Sequence, residues 1–147
     1  MSLPGRYSVT MKEEYTEDTW PEARWPNFSH KEFVCSHSGL CFLDSEMMDH
    51  LQAIRGSFGR GMRITSGYRD ATHPIEAKKE KPGSHSTGKA VDVHVRGGDA
   101  YRILALAIEH GFRGIGVSQK GGSRFLHLDR IELEDNFHAP RPSLWSY

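Results

Sequence analysis

The residues with the greatest capacity for chemistry crowd into two short stretches. In Gly83-Ser84-His85-Ser86-Thr87-Gly88-Lys89-Ala90-Val91-Asp92 a histidine lies in a glycine-bounded loop, and a carboxylate follows seven residues later. In Phe125-Leu126-His127-Leu128-Asp129 a histidine and a carboxylate stand two residues apart. Imidazole and carboxylate both ligate zinc, and a catalytic zinc site takes three protein ligands while keeping a fourth position open. A loop imidazole at 85 can fold back beside a strand carboxylate at 92, and His127 is the natural third partner. His85, Asp92 and His127 are thus candidate ligands of a zinc ion. At this level the spacing fits equally a set of surface histidines and aspartates hydrogen-bonded to their neighbours.

A second cluster, Cys35-Ser36-His37-Ser38-Gly39-Leu40-Cys41, does not have the close Cys pairing of structural zinc sites, and the chain holds no other cysteines. A local disulfide or two packed thiols are the expectations there. Nine histidines are the compositional oddity of the chain.

The elements that must position these groups follow from periodicity. Ala90 to Val95 alternates, with Val91, Val93 and Val95 on one face and Ala90, Asp92 and His94 on the other, which predicts a half-buried strand. Arg124 to Arg130 repeats the division: Phe125, His127 and Asp129 share a face, and Leu126 and Leu128 point to the core. The glycine turn at 120–123 makes antiparallel placement beside the Ala90 strand plausible. Leu43, Met47, Leu51, Ile54 and Phe58 form one apolar stripe of a helix that Asp44 can cap and that glycines 56, 59 and 61 end. Met62 to Ser66 reads as a strand closed by Gly67, and 68–83 as a long loop shaped by His73-Pro74. Asp99 can cap a further helix in which Tyr101, Leu104 and Ile108 share a face and after which Gly111 takes a left-handed conformation. The fold class predicted is α+β, a small antiparallel sheet flanked by helices. Residues 1–27 read as an N-terminal arm lying over the domain, anchored by Trp20 and Trp25, and 28–147 as the domain itself. The tail from His138 ends in aromatics expected to pack back.

Composition limits the partners. With 147 residues, 19 Lys+Arg and 19 Asp+Glu, one uncharged domain is expected, without the basic footprint of nucleic-acid or anionic-membrane binding. The longest apolar run, Ile103 to Ile108, falls far short of a membrane span. No cationic leader followed by an apolar stretch is readable, so a cytoplasmic or phage-associated location is expected.

Taken together, Ser84-x-His85-x-x-Gly88-x-Ala90-x-Asp92 and the later x-His127-x-Asp129 resemble the zinc D-Ala-D-Ala carboxypeptidase family, which also holds phage L-alanyl-D-glutamate endopeptidases and shares its fold with hedgehog signalling domains. The similarity runs over about 28–147 and includes Glu32-Phe33-x-Cys35, Ile64-Thr65-Ser66-Gly67-Tyr68-Arg69, Gly114-Ile115-Gly116 and Arg141-Pro142-Ser143-Leu144-Trp145. It implies that His85, Asp92 and His127 hold zinc and that the substrate is a peptidoglycan stem peptide. It also implies that Arg69 polarises the scissile carbonyl or holds a substrate carboxylate, tasks that suit the paired donors of a guanidinium. Ser84 and Tyr68 are the candidates for binding substrate.

The sequence departs from the family where proton transfer is concerned. Family peptidases usually carry a Glu three residues before the last zinc histidine, or a His two residues before it, as general base. Here those places hold Arg124 and Phe125, neither of which accepts a proton from an attacking water at neutral pH. By strand face, His94 and Asp129 are the nearest substitutes, Asp129 also being suited to orient a ligand. The alternative to an active peptidase is a zinc-containing, catalytically weak or inactive cell-wall-binding module.

Overall fold

A computed structural model of the chain describes residues 12–147; the arm before Lys12 lies outside the described residues. In chain order the elements are β1 (Lys12–Glu14), β2 (Phe42–Asp44), α1 (Ser45–Phe58), β3 (Arg63–Ser66), α2 (Pro74–Ala77), β4 (Ala90–His94), α3 (Gly97–Glu109), β5 (Gly114–Ser118), β6 (Phe125–Asp129) and β7 (Ser143–Ser146). The class is the expected α+β. Strands β3-β4-β6-β5-β7 form one sheet in that order, antiparallel except for the β5–β7 pair, and β1 and β2 make a separate two-stranded ribbon.

The alternation seen in the sequence divides the main sheet into two chemically different faces. Val91, Val93, Leu126 and Leu128 are buried with Ile103 and Ala107 of α3 and with Met47, Met48, Leu51 and Ile54 of α1. The opposite face carries Asp92 and His127. Asp44 caps α1 by accepting from the Met47 amide at 3.0 Å, and Gly59 ends the helix in a left-handed turn at φ 77°. Among the described residues no helix is long and apolar enough to cross a membrane.

Four features differ from the expectations. From Lys12 onward the arm is a packed part of the fold: β1 pairs with β2, Trp25 is fully buried, and the Trp20 indole donates to the Phe28 carbonyl at 2.9 Å across the expected boundary. Burial of Trp20 and Trp25 is what anchors should show, but isolated aromatics without a period gave no sign of the β1 strand. The loop after Gly67 contains α2, capped by the His73 ring accepting from the Ile75 amide at 3.1 Å. α3 begins at Gly97 rather than after Asp99, which pairs with Arg60, and it buries Ala100, Ile103 and Ala107 while Tyr101 and Ile108 are exposed. A helix apolar around most of its girth offers two overlapping stripes, and only packing selects one. The tail forms β7, added parallel to β5. Cys35 and Cys41 are buried free thiols.

Candidate metal centre

Asp92 on β4 and His127 on β6 are directly paired across the two central strands, so their side chains leave the same face side by side. His85 reaches them from a one-turn 3-10 segment, Ser84–Thr87, that feeds β4. That turn can reverse because Gly88 adopts φ 78° and lies against β2, where a Cβ would meet the Phe42 carbonyl oxygen at 2.9 Å. Its carbonyl in turn accepts from the Asp44 amide at 2.9 Å. Ligand atoms of His85, Asp92 and His127 all lie within 4.8 Å of one another.

The hydrogen bonds behind the two rings sort their nitrogens. His85 Nδ1 lies 2.8 Å from the Gly67 carbonyl, which can only accept, so Nδ1 carries the proton and Nε2 faces Asp92 Oδ1 at 3.3 Å. His127 is reversed. Its Nε2 lies 2.7 Å from Asp129 Oδ2 and donates to it, leaving Nδ1 to face Asp92 Oδ1 at 3.2 Å. Both imidazoles thus turn their other nitrogen toward one carboxylate oxygen, backed by a carbonyl in one case and a carboxylate in the other, as outer partners of metal-bound histidines do. Two imidazole nitrogens and a carboxylate oxygen facing one point fit a zinc ion. Burial opposes the charge on Asp92, yet the hydrogen bonds from His127 and His85 outweigh it and hold its pKa well below the usual carboxylate range. For His127, burial lowers the pKa, and the bonds to Asp129 and Asp92 more than reverse that.

The remaining candidates are placed as follows. Asp129 is buried and ionised, with burial outweighed by the bonds from His127 and Arg141. Arg141, His127 and the Ile131 amide occupy its two oxygens, which leaves no free oxygen for a water proton. His94 does not join the three ligands. It is exposed, in a cavity shared with Arg60, Arg63, Arg96 and Arg124. Ser84 Oγ lies 3.4 Å from His127 Nε2, at the edge of the centre. Tyr68 is buried against Phe42 and donates its hydroxyl to Asp70 at 3.2 Å, and burial first, then the Asp70 charge, pushes the phenol up to about 12. Phe125, in one usual base position, packs against Tyr147 with the rings tilted by 45° and centroids 5.1 Å apart.

Arg69 donates through Nη1 to Glu76 Oε2 and through Nη2 to Ser66 Oγ, both at 3.1 Å, and its backbone amide donates to the His85 carbonyl at 3.2 Å. It lines a groove of about 530 Å3 with Lys31, Ser66, Gly67 and Tyr68. Glu76, whose side chain is fully buried, was missed from sequence, as were Arg141 and Trp145 as neighbours of the site. No local pattern marks Glu76, since its partners converge only when the 68–83 loop closes. Gly114 and Gly116, alternate residues of one strand, were the available signal for the others, because glycines inside a strand mark close approach by another group.

A family model described as Peptidase M15 matches residues 26–129. A search of the curated proteins found no match.

Proposed function

Because the chain belongs to the peptidase M15 family, we propose that it is a zinc metallopeptidase that hydrolyses peptidoglycan stem peptides, either trimming a terminal D-Ala or cutting an internal L/D bond. The observation that carries this reading is the convergence of His85, Asp92 and His127, with one nitrogen of each imidazole turned inward and the other held from outside. Zinc bound there supplies Lewis acidity toward the scissile carbonyl and makes a coordinated water more acidic.

The chain's own residues divide the remaining work. Asp92 and the two histidines provide a ligand set of one negative charge, which leaves net positive charge facing the substrate. Arg69, held in orientation by Glu76 and Ser66, steadies the negative charge that develops on the carbonyl oxygen or receives a stem-peptide carboxylate. To Ser84, whose Oγ lies 3.4 Å from His127 Nε2, we assign donation to the peptide backbone. Stem peptides are rich in carboxylates, and the groove that Arg69 shares with Lys31 offers two cations to them.

The second reading, a zinc-containing cell-wall-binding module, is favoured by one observation: Arg124 and Phe125 stand in the usual base positions, and Asp129 is committed to Arg141 and His127. Purified peptidoglycan incubated with the zinc-loaded protein separates the two. Release of D-Ala or new amino termini, abolished by chelator and restored by zinc, is the expected result. Stoichiometric zinc with no product from peptidoglycan overturns the peptidase reading and leaves the binding module.

A further inference from the structure

The chain after Asp129, beyond the residues that the family model covers, folds back against Asp129 and His127. Arg141 grips Asp129 with two bonds, Nε to Oδ1 at 2.9 Å and Nη2 to Oδ2 at 2.8 Å, and the two side chains are 5% and 0% exposed. Four residues on, the Trp145 ring lies 5.2 Å from the His127 imidazole. The strand between makes room for both. Gly114 stands opposite Asp129 on one side and Ser143 on the other, and a Cβ there would collide with both Asp129 carboxylate oxygens and with the Arg141 guanidinium. Gly116 stands opposite His127 and Trp145, and a Cβ there would meet the indole Nε1 at 2.6 Å. β5 is thus bare at the two positions beside the metal-bearing strand, and the tail fills both.

We propose that Arg141 is a positioning residue of the metal centre, acting through Asp129 on His127, and that Gly114 exists to let this clamp lie flat across β5. The inference rests on the reading that His85, Asp92 and His127 hold zinc. An aspartate side chain free to rotate offers its acceptor oxygen over a wide arc. Two parallel N–H donors from one planar guanidinium remove that freedom. Oδ2 is then aimed at Nε2–H of His127, which keeps a proton on that nitrogen and leaves Nδ1, on the side of Asp92, as the nitrogen that ligates. The indole of Trp145 covers one side of the ring and limits its tilt.

The test compares Arg141→Ala, Arg141→Lys and Gly114→Ala with the unmutated protein. Gly122→Ala, in the β5–β6 turn where a Cβ meets nothing within 4 Å, is the control. Two quantities are read: zinc affinity by competition with a chromogenic chelator, and the His127 tautomer in metal-free protein from the nitrogen-15 shifts of its ring. Removing the clamp should weaken zinc by about 10-fold to 100-fold, the usual effect of losing an outer partner of a ligand. His127 should then populate both tautomers in Arg141→Ala and Gly114→Ala, and Arg141→Lys, which keeps the charge but not the paired donors, should fall between. Gly122→Ala should match the unmutated protein. Zinc affinity within twofold and an unchanged tautomer in Gly114→Ala and Arg141→Ala overturn the proposal. If Arg141→Ala does not fold, the same result in Arg141→Lys overturns it. Failure of the functional reading is separate: a protein that binds zinc but cleaves nothing leaves the clamp intact, and the tautomer measurement does not depend on zinc.

Discussion

Two arginine–carboxylate pairs flank the metal centre, and they are built differently. On the β3 side, Arg69 gives single bonds to Glu76 and Ser66, keeps 18% of its side chain exposed and borders a groove. On the β5 side, Arg141 spends Nε and Nη2 on one carboxylate and is all but sealed from solvent. Each pairs an arginine with a carboxylate, yet in the first the guanidinium borders open space and in the second the carboxylate faces a candidate metal ligand inside the protein. What decides is which partner is anchored. Glu76 is fixed by Arg69, by Lys79 at 3.2 Å and by the Gly83 amide at 2.7 Å, so it serves as a stand on which Arg69 is mounted. In the other pair Asp129 is the member that faces the metal ligand, and Arg141 is the stand.

The comparison breaks first, and with the largest effect, at Asp129. Asp129→Ala leaves a buried guanidinium without a counter-charge and should destabilise the fold by roughly 3–5 kcal/mol, read from urea unfolding. A loss below 1 kcal/mol would mean that Arg141 escapes to water and is no fixed stand. On the other side, Arg69→Lys should lower turnover of a stem peptide by on the order of 100-fold, as loss of an oxyanion donor does, because lysine lacks the paired donors. Its folding stability should stay within about 0.5 kcal/mol of the parent. Equal damage to turnover and stability would make Arg69 a second buried clamp.

Glu76 supplies a pH test. Burial raises its pKa, but the Gly83 amide, Arg69 and Lys79 outweigh burial and bring it below the ordinary glutamate value. A depressed native pKa contributes stability that is complete above the unfolded value, near 4.3, and is lost as pH falls through the native value. Glu76→Gln should therefore cost about 1–3 kcal/mol at neutral pH, as loss of a charged hydrogen-bond partner does, and should flatten the acid limb of the stability curve below about pH 4.3. An unchanged acid limb would show that Arg69 does not lean on this carboxylate. The smallest effect is expected at His94, outside both pairs: His94→Ala should leave zinc affinity within about twofold. Loss of hydrolysis in that variant, with zinc retained, would restore His94 as the base.

The legible part of the site was the part written in strands. His127 and Asp129 two residues apart, and Asp92 in an alternating run, must share faces because the side-chain period of a strand is two. His85 was legible only as a loop histidine between glycines; its approach to Asp92 depends on Gly88 turning against β2, a contact between residues more than forty apart in the chain. Tyr101 and Ile108 show the opposite case, a helical period whose exposed and buried stripes the sequence does not distinguish.

By itself, then, the sequence determined the two-faced strands and the capped helix α1 through local periodicity, and its resemblance to a family singled out the three candidate zinc ligands. The tertiary structure alone decided that Trp25 belongs to the core, that Glu76 mounts Arg69, and that the tail returns as β7 to set Arg141 and Trp145 against Asp129 and His127. These are encounters between segments with no shared period. They are selected by burial of apolar surface and by pairing of every buried charge, terms that exist only once the chain has closed on itself.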